Sequence, residues 1–236
     1  VTQTGQEVTA IVAENFLRYD TSVGVMCRQN HAEIFPVDMG MVTDTKVRTD
    51  HKVAYGTKNM TKGPAMTREQ AVKGIEAGIA MVEELKEKGY QILATGEMGI
   101  GNTTTSSAVA SVLLKQSVES MTGRGAGLTS EGLVRKIAAI RKAIEVNQPD
   151  PEDAVDVLAK VGGLDIAGMT GVFLGGAVYH IPVVMDGFIS CVAALIAMEI
   201  CPAAGDYIIA SHVSKEPAAH LILEHMKKEA ILHADM

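Results

Sequence analysis

A short apolar strand pattern that runs directly into a glycine-rich turn and then a helix places the strongest constraint on this chain. Tyr90-Gln91-Ile92-Leu93-Ala94 is followed by GEMGIGNTTTSSA (residues 96–108), where Gly96, Gly99 and Gly101 flank the carboxylate of Glu97. Glycines let a backbone approach a ligand closely. Asn102 with Thr103, Thr104 and Thr105 is suited to cap a helix whose free N–H groups attract anions. The segment therefore reads as an anion cradle with a carboxylate at its rim, set where a strand end meets a helix start, the usual ligand crevice of open α/β sheets. Its G-x-x-G-x-G spacing matches neither the dinucleotide fingerprint G-x-G-x-x-G nor the phosphate loop G-x-x-x-x-G-K-[ST].

The rest of the chain repeats this alternation of strand-period and helix-period segments, which predicts a mostly parallel sheet with helices on both faces. Helices are expected near residues 6–19, 67–88, 103–114, 130–146, 151–161, 164–178, 187–199 and 217–228, and strands near 23–27, 33–37, 90–94, 181–185 and 207–210. Thr67 and Gln70 have capping-box spacing, and Val72, Ile75, Ile79 and Val82 follow as one helix face. Asp150 before Pro151 marks another helix start. At 236 residues and 47% hydrophobic, the chain suffices for a single α/β domain spanning residues 1–236.

Composition narrows the function. A net charge of -7, with no aromatic-plus-basic stripe, argues against nucleic acid as a partner. Residues 166–185 carry no charged side chain, but His180, Pro182 and four glycines interrupt the run. A buried helix followed by a central strand explains it better than a membrane span. Cys27, Cys191 and Cys201 lack C-x-x-C spacing and read as reduced core thiols of a cytoplasmic protein. The seven histidines form no metal motif, and His180 reads as a core residue.

Several residues carry chemistry on their own terms. Glu97 is placed to take a proton or stabilise developing positive charge, against the plainer role of bracing the glycine turn. A second glycine-rich segment, Gly123-Arg124-Gly125-Ala126-Gly127-Leu128-Thr129, precedes a helix and offers N–H groups to an anion, with Lys136 available to add a full charge. The alternative is a simple turn, with Lys136 on a solvated face beside Arg135, Arg141 and Lys142. Asp186 follows the strand at 181–185 and either caps the next helix or contacts a ligand. Residues 41–66 show no period, and their Lys46, Arg48, Lys52, Lys58 and Lys62 serve an anion or simply a solvated loop.

The blocks EVTAIVAENFL, FPVDMGM, GTKNMTKGPAMT, GEMGIGNTTTSSA, GGLDIAGMTG, VVMDGFIS and SHVSKEPAAH occur in the order in which the nicotinate-nucleotide:dimethylbenzimidazole phosphoribosyltransferases carry similar ones, and the chain resembles that family from end to end. The resemblance implies a Rossmann-like three-layer α/β fold. It also implies a homodimer without cofactor or metal, whose substrates are nicotinate mononucleotide and a benzimidazole base. It further implies that the chain is incomplete at both ends, ending before the segment that holds the family's catalytic glutamate, so that Glu97 is the supporting or substitute base. By the same resemblance Gly99, Gly101, Asn102, Thr103, Gly123, Gly125, Lys136 and Asp186 bind substrate. Ser214 meets the nicotinate carboxylate, Thr2, Gln3 and Gln6 lie near the base, and Gly56-Thr57-Lys58-Asn59 is a site element. A binding or assembly module without turnover is the competing reading. An NAD-dependent oxidoreductase is disfavoured by the glycine spacing.

Overall fold

The computed structural model of the protein describes residues 2–233, so Val1 and residues 234–236 of the expected domain lie outside the described residues. Three short parallel strands, β1 (Leu93–Ala94), β2 (Val183–Met185) and β3 (Ile208–Ala210), pair in the order β1-β2-β3, with Leu93 opposite Val183 and Val183 opposite Ile208. All three run the same way, so their C-terminal ends share one edge. The segments that leave that edge begin at Thr95, Asp186 and Ser211. The connections are helical, giving the Rossmann-like α/β architecture.

Helix α1 (Glu7–Phe16) and α2 (Ser22–Gln29) precede the long α3 (Arg68–Glu87). A capping box starts α3: Thr67 Oγ1 accepts from Gln70 N at 3.2 Å and Gln70 Oε1 accepts from Thr67 N at 3.0 Å. Ala71, Gly74, Ile75, Gly78, Met81, Val82 and Leu85 form its buried face. Val72, expected on that face, is exposed, because the small residues at 71, 74 and 78 turn the stripe towards a closely packed neighbour. That neighbour is α7 (Leu164–Tyr179). A Cβ on Gly78 would stand 2.0 Å from the Gly168 carbonyl oxygen, and one on Gly171 would stand 1.9 Å from that of Ile75. The uncharged stretch at 166–185 is thus the tightest helix crossing and the central strand. No helix among the described residues is long and apolar enough to cross a membrane.

Between β1 and β2 run α4 (Asn102–Leu113), α5 (Ser130–Asn147), α6 (Ala154–Val161) and α7; α8 (Phe188–Ile200) and a 3-10 turn lead to β3, and α9 (Pro217–His225) follows. Every residue of α8 from Phe188 to Ala197 is buried, which makes it the centre of the core. Helix α6 begins later than Pro151, because Asp153 caps it through Val155 N and Asp156 N, both at 3.1 Å.

The first two expected strands are absent. Residues 22–29 are helical because Thr21 caps them, its Oγ1 accepting from Gly24 N at 3.0 Å, while Val23, Val25 and Met26 face outward instead of filling a sheet. Residues 33–37 are irregular, with a single bridge from Val37 to Arg48. Of the three thiols only Cys191 is buried; Cys27 is half-buried and Cys201 exposed, and all are free. His180 is likewise no core residue: it ends α7 in the left-handed region at φ 56° and meets Tyr207 Oη at 2.6 Å through Nδ1, exposed.

Candidate active site

Gly101 turns the chain into α4 with φ 93°, a conformation that favours glycine, and no side chain caps this helix. Asn102 and Thr103, expected as caps, are engaged elsewhere. The Asn102 amide nitrogen bridges two carboxylates, donating to Glu97 Oε2 and, at 2.8 Å, to Asp165 Oδ2 in the first turn of α7. Gly99 N also donates to Glu97 Oε2, at 2.9 Å. A Cβ on Gly99 would lie 2.4 Å from Asp165 Oδ2 and 2.6 Å from Asn102 Nδ2, so glycine there is what lets the trio close.

Glu97 is exposed as a residue, yet its carboxylate is crowded on one side by this trio. Crowding raises its pKa, and the negative charges of Asp165 and, less strongly, Asp186 add to the effect against the hydrogen bonds from Gly99 and Asn102. Burial raises the Asp165 pKa as well. The result is a carboxylate that takes a proton more readily than an ordinary glutamate. Asp165 was not singled out in the sequence, because it reads as ordinary acidic composition at a helix start.

The second glycine segment lies beside the first. Thr129 caps α5, its Oγ1 accepting from Gly132 N at 3.1 Å. Lys136, Ile140, Ala143 and Asn147 are the buried positions that follow at spacings of four, three and four. Lys136 is therefore fully buried, while Arg135, Arg141 and Lys142 are exposed. Its Nζ donates to Thr103 Oγ1 and to the Gly123 carbonyl, each at 3.0 Å, tying both glycine segments together. Burial lowers the Lys136 pKa, and the negative charge of Glu216 pushes it back up. The N–H of Gly125 is already engaged, donating to Glu216 Oε1 at 2.8 Å. Gly125 thus shapes the loop instead of presenting an open donor.

The remaining candidates occupy the same strand-end edge or its surroundings. Asp186 is exposed just past β2, and Ser214, half-buried beyond β3, accepts from Glu216 N at 3.3 Å. His212, unremarked in the sequence, meets Ser211 Oγ at 2.9 Å through Nδ1, and its Nε2 lies 3.7 Å from where a Gly187 Cβ would stand. Gln3 donates to the Gly127 carbonyl at 2.8 Å, and with Thr2, Leu128, Thr129 and Arg135 it lines an open cleft of about 440 Å³. Glu97 does not line that cleft. Gln6 marks the start of α1 without a side-chain cap.

The basic loop at 41–66 divides. Arg48 is paired with Asp50 and Glu84, each at 2.6 Å, and Lys52 with buried Asp38 at 2.9 Å, so these two cations fasten the loop to the fold. Lys58 and Lys62 are exposed, and Gly56, at φ 82°, makes the turn before Lys58. Among the described residues no group of three His, Cys, Asp or Glu side chains is arranged to hold a metal ion.

Parallel strands whose C-terminal ends carry a glycine turn with a crowded carboxylate, close to a buried lysine, define a Rossmann-like α/β protein with a candidate ligand crevice at its strand ends. The chain belongs to the nicotinate-nucleotide–dimethylbenzimidazole phosphoribosyltransferase family: the family model described as phosphoribosyltransferase matches residues 1–236. A relative of that name from Ruminiclostridium cellulolyticum is 51% identical over 233 residues, and another from Clostridium acetobutylicum is 48% identical. Each alignment covers 98% of this chain but 66% of the relative, so the chain spans about two thirds of the length of these curated relatives. The crystal structure of CobT from Thermus thermophilus superposes with a TM-score of 0.94 at 34% identity, covering 100% of this chain and 72% of that one.

Proposed function

We propose that the protein transfers the phosphoribosyl group of nicotinate mononucleotide to 5,6-dimethylbenzimidazole or a related base, giving α-ribazole 5′-phosphate and nicotinate. The bond from C1′ to the pyridinium nitrogen breaks, its electron pair staying on the ring nitrogen, and a benzimidazole nitrogen forms the new bond from the opposite face. The proton on that benzimidazole ring must then be accepted. A pyridinium leaves without acid help, so the protein's tasks are to hold the phosphate and carboxylate, stabilise positive charge at C1′ and remove one proton.

The observation that carries this reading is the Glu97–Asn102–Asp165 trio at the end of β1: a carboxylate with a raised pKa is a better proton acceptor near neutral pH, and its negative form suits a cationic centre. Gly99, Gly101 and Asn102 shape this cradle. Gly123 and Gly125 shape the phosphate loop, Thr103 and Lys136 hold the phosphate side, Asp186 serves the ribose or nicotinate part, and Ser214 the nicotinate carboxylate. The test is release of nicotinate from the mononucleotide on addition of the base. Turnover marks an enzyme; nucleotide binding without base-dependent release would mark a binding module instead.

The protein acts, in this reading, as one α/β domain within a cytoplasmic homodimer. Exposed Ile11, Leu17, Val25 and Met26 on and beside α1 and α2 supply apolar surface for a second copy, and the free thiols suit a reducing compartment. A monomeric mass by sedimentation at micromolar concentration would reject the dimer.

A further inference from the structure

The carboxylate of Glu216 reaches from the residue before α9 into the glycine segment at 123–125. Its Oε1 accepts from Gly125 N at 2.8 Å, and its Oε2 is buried without a hydrogen bond among the described residues. A Cβ on Gly123 would stand 2.3 Å from that Oε2, so glycine at 123 is what allows the carboxylate to seat. Lys136 holds the Gly123 carbonyl of the same loop and Thr103, and the Glu216 backbone is fastened to Ser214 Oγ at 3.3 Å. One side chain thus joins the loop proposed for the phosphate to the segment proposed for the nicotinate carboxylate.

An anion beside an anion site repels its ligand, a cost that another task must offset. Two tasks are visible: it fixes the Gly125 peptide, which sits at φ 55° and has no helix or strand to hold it, and it supplies a negative charge for a buried ammonium. A buried lysine without a countercharge holds its proton less tightly, and its neutral form binds a phosphate more weakly. We propose that Glu216 is a positioning residue that holds the loop at 123–125, the loop whose Gly123 carbonyl Lys136 grips, and is the countercharge of that ammonium, and thereby sets the preference for a phosphorylated over an unphosphorylated nucleoside. The inference rests on the phosphate-loop reading above. Among the described residues the Lys136 ammonium donates to the Thr103 hydroxyl of α4 and the Gly123 carbonyl of the loop, and the Glu216 carboxylate acts on it electrostatically. Arg124, next in the loop, is tied to the Leu128 carbonyl and Ser130 Oγ.

Calorimetric titration of nicotinate mononucleotide and nicotinate riboside against the wild type, E216A, E216Q and K136M, across pH, tests this. E216A should weaken the mononucleotide by about tenfold or more and the riboside by less than about twofold. E216Q keeps an acceptor for Gly125 N–H, so it should recover much of that affinity near neutral pH. Its binding should nevertheless fall off at lower pH than the wild type's, since Lys136 loses its proton sooner. Equal weakening of both ligands by E216A, or a wild-type alkaline limb in E216Q, overturns the proposal. If E216A does not fold, the E216Q limb alone decides. Loss of mononucleotide binding in K136M beside wild-type binding in both Glu216 variants would overturn the role of Glu216 only. Equal binding by the wild type and K136M would overturn the phosphate-loop reading and this one with it.

Discussion

Two carboxylates sharing one amide nitrogen make Glu97 and Asp165 a coupled pair, and their coupling is measurable. If Glu97 accepts the proton, it must be ionised, so kcat/KM should rise with pH through an acid limb shifted upward from the ordinary glutamate range by the crowding of its carboxylate and the Asp165 charge. Asp165→Asn removes a negative neighbour, lowers the Glu97 pKa and should move that limb to lower pH. A limb that stays in place would show that Asp165 does not tune Glu97. Glu97→Gln should leave nucleotide binding intact while slowing transfer by about 100- to 10,000-fold, the usual range for a general base. Wild-type turnover in that variant would remove Glu97 from the chemistry. The residue type and the glycine setting made Glu97 legible in the sequence. Asp165 was not, since its contact with Asn102 spans 63 residues and only the fold brings them together; the same holds for Glu216 and Gly125, 91 apart.

Most elements were legible, the short strands included; the runs at 23–27 and 33–37 were not. The capping box and the spacing of apolar residues announced α3, and the strand ends at 94, 185 and 210 follow from apolar runs stopped by turn residues. The run at 23–27 misled because β-branched and apolar residues also suit an exposed helix once Thr21 caps it. Lys136 carried an unused signal: it falls four residues before buried Ile140 on the inward stripe of α5, where a solvated lysine does not belong. Gly78→Ala drives a methyl group to within 2.0 Å of the Gly168 carbonyl, backbone against backbone, and should destabilise the protein by about 3 kcal/mol, the upper end for overpacking. Gly63→Ala, with nothing within 4 Å of the added carbon, should change stability by no more than about 0.5 kcal/mol. Urea denaturation of the two variants compares them directly, and equal midpoints would mean that the α3–α7 crossing is not tight.

Across the whole molecule, the proposed site is assembled from segments far apart in the chain, at 97–103, 123–136, 186 and 211–216, and the fold alone holds them in register. The unfolded chain has no such assembly, so a nucleotide that engages all of them binds the native state only and stabilises it by mass action. At a hundred times its Kd that stabilisation is about 2.7 kcal/mol, or a rise of roughly 5–11 °C in Tm for a domain of this size. Nicotinate riboside at the same concentration lacks the group for the loop at 123–129 and should raise Tm far less. Lys136→Met keeps the buried volume while deleting the ammonium, so it should abolish most of the difference between the two ligands without lowering the Tm of the ligand-free protein to the same degree. Scanning calorimetry of both proteins with each ligand provides the measurement. Equal shifts from mononucleotide and riboside in the wild type would show that the phosphate contributes nothing. The loop, Lys136 and Thr103 would then be a brace of the fold, and the ligand-binding face would reduce to the ends of the three strands.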